Sequence, residues 1–195
     1  MNSMKARLLL REVLPFTLWL AALAGLSLLL DALLHYLGVV WVGRYLGIPG
    51  VLLIIGSFGY SLRKRQLIHV GQPLRLLRLH ERMAWLGSLL VLVHAGIHFN
   101  AILGWLAVWA MLINVGSGLT GKFLLERSRK RLLAAREKMQ KQGLSDADLE
   151  ERLHVDTMTF DVVKQWRRVH FPIALAFGVL ALAHIISIFL FWGWK

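Results

Sequence analysis

Four histidines are the residues of this sequence whose types and spacing could do chemistry: His80, His94, His170 and His184. They form two pairs, and the members of each pair stand fourteen positions apart on a strongly apolar segment. Fourteen residues of α-helix complete roughly four turns less 40° and rise about 21 Å, so both imidazoles of a pair face nearly the same way. Two such helices side by side would present one imidazole each at two levels, which is the arrangement that two stacked bis-histidine haems need.

The composition indicates an integral membrane protein. The 195 residues are 57% hydrophobic with a mean hydropathy of +0.59, and several apolar runs approach or exceed the roughly 20 residues that span a bilayer. The sequence has no cysteine, which excludes cysteine-ligated iron–sulfur clusters, thiolate zinc sites, disulfides and c-type haem attachment. The net charge of +12 indicates membrane orientation rather than nucleic-acid binding, because the basic residues flank the apolar runs.

Five membrane spans are predicted, at about 13–40, 46–62, 76–99, 102–125 and 169–192. They predict an all-α integral membrane fold, a bundle of five transmembrane helices in a single membrane domain covering 1–195. The second span is short and contains three glycines, Gly50, Gly56 and Gly59. The first span is too long for the core of a signal peptide and is interpreted as uncleaved.

The basic residues test this count and give an orientation. Of the 23 Lys and Arg residues, all but Arg44 and Lys195 fall on one side of a five-span topology, whereas four or six spans would scatter them. The positive-inside rule then places the N-terminus in the cytoplasm and the C-terminus outside, in a multi-pass cell membrane such as a bacterial inner membrane. The stretch of about 126–168 is predicted to form a cytoplasmic helical hairpin, in which Ser145 caps the second helix. It is either a solvated hairpin or a docking surface for an electron-transfer partner.

Ionisable residues inside membrane spans are energetically expensive and therefore suggest a function. In the five-span topology the third and fifth spans run in the same direction. His80 and His170 then share the cytoplasmic level, and His94 and His184 share a deeper level toward the outside. A neutral imidazole can bind haem iron through one nitrogen while a second partner fixes the other.

Other residues near these pairs have two interpretations each. Gly104 and Gly118 are also fourteen apart, so they could let a flat macrocycle approach the fourth span at both levels or could serve ordinary helix packing. His98 is either an alternative ligand for the outer level or, as the favoured interpretation, an interfacial group near the outer haem edge or a quinone. Asp31 and His35 form either an interfacial pair or a site that accepts protons during quinol oxidation.

Arginines at the cytoplasmic level orient the chain and are candidates to bind haem propionates bidentately: Arg78, Arg82, Arg167 and Arg168. Pro172 follows His170 by two residues. It is harmless in the first turn of a helix, but a helix that begins well upstream would kink there and re-aim His170.

The third span, "RLHERMAWLGSLLVLVHAGIHF", and the fifth, "WRRVHFPIALAFGVLALAHIISIF", resemble the haem-bearing helices of membrane di-haem b cytochromes. The similarity is closest to the ferric-reductase-like transmembrane domain family, and cytochrome b of quinol-oxidising complexes has a similar ligand spacing. The resemblance implies an inner haem between His80 and His170 and an outer haem between His94 and His184. Unlike the flavin-containing reductases of that group, this sequence shows no flavin- or nicotinamide-binding motif and no sixth span, so another molecule must supply or accept the electrons.

The expected function is transmembrane electron transfer by two b-type haems. The chain is expected to be an electron-carrier subunit of an oxidoreductase complex rather than an enzyme by itself. Bis-histidine ligation leaves no open coordination position, which favours relay over substrate binding. The expected partners are the lipid bilayer, redox subunits and, as a candidate, quinol or quinone, whereas nucleic acid is not expected. Two alternatives stay open: a quinol-dependent reductase acting at the outer haem, and a haem-free transporter or scaffold subunit.

Overall fold

The structure, a computed structural model, describes residues 13–97, 101–125, 133–134, 137, 141 and 146–191, and at 124–125 and 146–168 it describes the backbone alone. Every regular element in this part of the chain is a helix, which confirms the all-α prediction. The helices are α1 (Leu14–Tyr36), α2 (Val40–Tyr45), α3 (Gly47–Ser57), α4 (Gly59–Lys64), α5 (Pro73–Ile97), α6 (Ile102–Thr120) and α7 (Asp146–Phe191). A π-helical turn, Gly121–Leu125, continues α6.

Four stretches of the described chain are long and apolar enough to cross a membrane: Leu14–Tyr36, Val40–Lys64, Ile102–Phe123 and Val169–Phe191. They correspond to the first, second, fourth and fifth predicted spans. The third predicted span forms α5, a helix of 25 residues whose first turns carry Arg75, Arg78 and Arg82, so it is not among the four. Its membrane crossing therefore stays a prediction.

The first two spans differ in their bounds from the prediction. The first ends at Tyr36 because Gly38 adopts φ +68° and the Val39 amide donates to the carbonyl of Leu34 at 3.0 Å, a glycine-dependent helix stop. The second begins at Val40 and continues through α2, α3 and α4, with helical joints at Leu46 and Phe58. The glycines of this span do not shorten it.

The chain divides into two compact units. The larger comprises Leu20–Val115 and Leu175–Lys195, and the smaller comprises Met1–Trp19 and Gly116–Ala174. In the larger unit α5 packs against α2, α3 and α4. The buried core of this unit joins four helices and consists of Ile54, Val91, Ala107, Met111 and Phe177. Leucines on α1 point outward, as Leu28 at 70% exposure shows, which suits a helix in contact with lipid.

The helix α7 is continuous over 46 residues, so the end of the stretch predicted to be cytoplasmic and the fifth predicted span are one helix rather than two. It begins at Asp146, and the predicted cap Ser145 lies outside the described residues. Pro172 is consequently an interior residue of the helix, far beyond its first turn. The proline has no N–H to donate to the carbonyl four residues earlier. For a proline inside the helix, the sequence predicts a kink that changes the direction of the His170 side chain.

Candidate functional site

Two of the four histidines are held by backbone carbonyl groups. The Nδ1 atom of His80 donates to the carbonyl oxygen of Ser57 at 2.9 Å, and Nδ1 of His94 donates to that of Gly43 at 3.3 Å. A carbonyl oxygen only accepts hydrogen bonds, so Nδ1 of each neutral ring carries the proton. The Nε2 atom then keeps its lone pair, which makes it the ring nitrogen able to bind a metal ion.

These two hydrogen bonds belong to a regular register between α5 and the α2–α3 stretch. Three contacts recur at seven-residue intervals: His80 with Ser57, Gly87 with Gly50, and His94 with Gly43. Residue numbers rise along α5 as they fall along the other stretch, so the two run antiparallel. A Cβ on Gly87 would lie 2.7 Å from the carbonyl oxygen of Gly50, so only glycine allows the two backbones to approach this closely. The close approach brings both imidazoles within reach of the carbonyls.

The predicted outer ligands both belong to the larger unit. His94 and His184 are near enough for the charge on one imidazole to act on the other. A Cβ on Gly104 would lie 3.3 Å from Cε1 of His184, and a Cβ on Gly47 would lie 2.9 Å from Cγ and Cδ2 of His94. Each ring therefore lies next to a glycine, and the imidazole of His184 is the neighbour of Gly104.

The smaller unit contains His170. Its Nδ1 atom lies 3.2 Å from the Oγ atom of Ser117, a residue that is only 3% exposed. A Cβ on Gly118 would make an ordinary contact with the same ring, 3.7 Å from Cε1. His80 belongs to the larger unit, so its pairing with His170 stays a prediction.

A haem would need only two imidazoles from the chain. In the described chain no group of three or more His, Cys, Asp or Glu side chains comes together as a metal site. A porphyrin supplies four nitrogens to its iron, and two axial imidazoles complete the coordination. Nδ1 of His80 and of His94 donates to a carbonyl oxygen, which puts the lone pair of both rings on Nε2. The Ser117 hydroxyl beside Nδ1 of His170 can donate or accept, so the tautomer of that ring stays open. Glycines beside the rings keep bulky side chains away from them.

The arginine prediction receives no support from the helix geometry. Arg78 and Arg82 lie about 160° around α5 from His80, so they point away from that ring. Together with Arg75 and Leu79 they line an open cavity of about 390 Å³. The other propionate candidates, Arg167 and Arg168, and the alternative ligand His98 fall outside the residues whose side chains are described.

Asp31 and His35 are neighbours at the end of α1. The Nδ1 atom of His35 donates to the backbone carbonyl of Asp31 at 2.9 Å and lies 3.7 Å from its Oδ1. That Oδ1 is buried without a hydrogen-bond partner among the described residues. The carboxyl group packs against α5, where a Cβ on Gly96 would lie 3.5 Å from its Cγ. Both interpretations of this pair stay open.

Sequence reasoning missed the residues that orient the rings, namely Gly43, Gly47, Ser57 and Ser117. A signal for two of them was available, because Gly43 and Ser57 are separated by the same fourteen positions as the histidines that they contact. Every residue has a backbone carbonyl, so residue types do not show which carbonyls accept a hydrogen bond. The fourteen-residue interval can be interpreted only when the packing of α2–α3 against α5 is known.

No family model, no curated protein and no solved structure matches this chain. The function is therefore inferred from its own residues and their geometry.

Proposed function

We propose that this chain is a membrane cytochrome with two b-type haems, each held between two histidines, and that it carries electrons across the bilayer. His94 and His184 bind the outer haem, and His80 and His170 bind the inner one. One observation supports the proposal: Nδ1 of His80 and of His94 donates to backbone carbonyls at matching intervals, which puts the lone pair of both rings on Nε2, the nitrogen that would bind a metal ion.

The residues of the chain orient and tune these ligands. Hydrogen bonds from Nδ1 fix the tautomer, hold the ring plane and make Nε2 a stronger electron donor. When bound, the haem supplies an iron that changes reversibly between two oxidation states. Ligation by two histidines would leave the iron no open position for a substrate, which favours electron relay over substrate binding.

The apolar core suits this role. Phe177 lies seven residues from both His170 and His184, and Val91 and Met111 pack with it in the buried core of the larger unit. Such side chains exclude water, and an apolar shell controls the redox potential of a buried metal group.

The proposed topology has five spans, with α5 as the third. The part of α5 from Met83 to Ile97 contains one histidine and no Asp, Glu, Lys or Arg. The buried residues of this part face other helices rather than lipid. All Lys and Arg residues except Arg44 and Lys195 then lie on the cytoplasmic side, with the N-terminus. Four apolar helices support the membrane environment directly.

The chain is proposed to act as one subunit of a redox complex, with a quinol or a cytoplasmic protein as donor. Asp31 supports a quinol, because its buried carboxylate oxygen packs beside Gly96, two residues from His94 on α5. A quinol gives up protons together with electrons, so a carboxylate–imidazole pair near the outer haem is suited to receive them.

A reduced-minus-oxidised absorption spectrum with haem quantitation, measured on the purified full chain, tests the proposal. The expected result is a b-type spectrum at two haems per chain. Folded protein that contains no haem, after expression with haem supplied in excess, contradicts the proposal and leaves the transporter or scaffold alternative. Turnover of an external electron acceptor with quinol by the purified chain alone would favour the reductase alternative.

A further inference from the structure

A cavity of about 390 Å³ opens along the first half of α5, lined by Arg75, Arg78, Leu79 and Arg82. These residues follow the spacing i, i+3, i+4 and i+7, so they occupy one face of the helix. All four are exposed. We call this surface the arginine groove. It lies on the side of α5 away from His80, so the ligand proposed for that histidine does not account for it.

The arginine groove is suited to an anion. In the described part of the chain no carboxylate forms an ion pair with any of the three guanidinium groups. The Nε atom of Arg78 donates to the carbonyl oxygen of Leu74 at 3.4 Å, which holds that side chain along the helix. Glu81 lies about 60° around the helix from Arg78 and about 100° from Arg82, at the margin of this face, and forms an ion pair with neither of these two arginines. Guanidinium groups bind phosphate through paired hydrogen bonds, and three on one face form a phosphate-binding surface.

An apolar strip continues the same face toward the middle of α5. Leu79 is 49% exposed and Leu86 is 44% exposed. Leu86 comes eleven residues after Arg75 and therefore lies within about 20° of it around the helix. A charged end followed by exposed leucines matches a molecule with a phosphate group and an apolar tail. A soluble phosphate or an acidic peptide would bind the arginines without contacting the leucines.

We propose that the arginine groove binds the headgroup phosphate of an anionic phospholipid, whose acyl chain lies along Leu79 and Leu86. The position supports this assignment, because the basic pair Lys64 and Arg65 lies at the end of α4, the segment that leads to α5. The cytoplasmic leaflet carries the anionic lipids, and basic pockets beside membrane helices on that side bind their headgroups. The site is independent of haem binding.

Native mass spectrometry of the purified, delipidated full chain tests this proposal. Phosphatidylglycerol and phosphatidylcholine with identical chains are titrated separately, and inorganic phosphate is added as a competitor. The double variant Arg75→Gln/Arg82→Gln removes two groove charges and keeps the Arg78 contact. Lys64→Gln/Arg65→Gln removes the same charge at the neighbouring helix end and serves as the matched control. Leu79→Gln tests the acyl contact, and the helical circular dichroism of each variant verifies folding.

We expect phosphatidylglycerol to bind at least tenfold more tightly than phosphatidylcholine. The groove variant should lose about thirtyfold in phosphatidylglycerol affinity, the control at most a fewfold, and Leu79→Gln should weaken both lipids. Equal affinity for the two lipids, or equal losses in both double variants, would overturn the proposal. Full competition by inorganic phosphate together with unchanged binding in Leu79→Gln would assign the groove to a soluble phosphate instead.

Discussion

Gly50 and Gly87 meet backbone to backbone where α3 crosses α5, and a Cβ on Gly87 would lie 2.7 Å from the carbonyl oxygen of Gly50. This contact stands midway between the hydrogen bond of His80 to Ser57 and that of His94 to Gly43. Small residues at helix interfaces in membranes let backbones approach closely. The glycine contact therefore sets the distance at which both carbonyls reach their imidazoles.

Gly87→Ala should destabilise the protein by about 1–3 kcal/mol, because the added methyl group meets backbone atoms that cannot turn away. Thermal unfolding followed by circular dichroism measures the effect. Gly25→Ala is the matched control, since nothing lies within 4 Å of its Cβ position, and there the substitution should be neutral or slightly stabilising. Equal unfolding temperatures for the two variants would show that the close approach does not matter.

Gly47→Ala should disturb one haem and leave the other unchanged. The new Cβ would lie 2.9 Å from Cγ and Cδ2 of His94, so the ring must turn, and the bond proposed between this ring and the haem iron would change. A redox titration followed by visible absorption should show one midpoint potential shifted and one retained. Gly116→Ala, which has open space at its Cβ position, should shift neither. If both potentials of Gly47→Ala match the parent protein, His94 is not an axial ligand.

Ser117→Ala removes the hydroxyl group 3.2 Å from Nδ1 of His170. Loss of such a supporting hydrogen bond lowers metal affinity by about 10- to 100-fold, so the inner haem should dissociate more readily and its potential should rise as the ring donates less charge. Haem retention during detergent dialysis measures the first effect. Ser117→Thr keeps the hydroxyl group and should restore retention. Normal retention in Ser117→Ala would argue against His170 as a ligand.

The chain contains no cysteine, so single cysteines can report which side of the membrane a residue faces. Gln72→Cys precedes α5 and Ala101→Cys follows it. A membrane-impermeant maleimide added outside intact cells should label position 101 alone, and inverted vesicles should reverse the result. Labelling of both positions from the same side would mean that α5 does not cross, and would replace the five-span topology by four spans.

The sequence predicts the helical class and four of the spans, because apolar runs long enough to cross a bilayer are typical of membrane helices. It underestimates the second span, since two of the three glycines that look like breaks are packing positions: Gly50 contacts Gly87, and a Cβ on Gly56 would meet Met83. It also divides α7, which the structure shows as one helix that continues through Pro172. The interior of a long helix tolerates a proline when the neighbouring packing compensates for the lost hydrogen bond.

The candidate site is likewise predictable from the sequence only in part. Regular spacing identifies the histidines and the glycines near them, because period and residue type are both visible in a sequence. The acceptors at Ser57 and Gly43 are backbone atoms, and backbone chemistry is the same at every position. Only the packing of α2–α3 against α5 shows which carbonyls are used.

The ratio of haem to protein in His184→Ala tests the central claim most directly. His184 is proposed as an outer ligand, so the ratio should fall from two to one, and His94→Ala should give the same value. His98→Ala and the exposed loop variant His69→Ala should keep two haems. Two haems retained in His184→Ala, or one lost in His98→Ala, would contradict the pairing of His94 with His184.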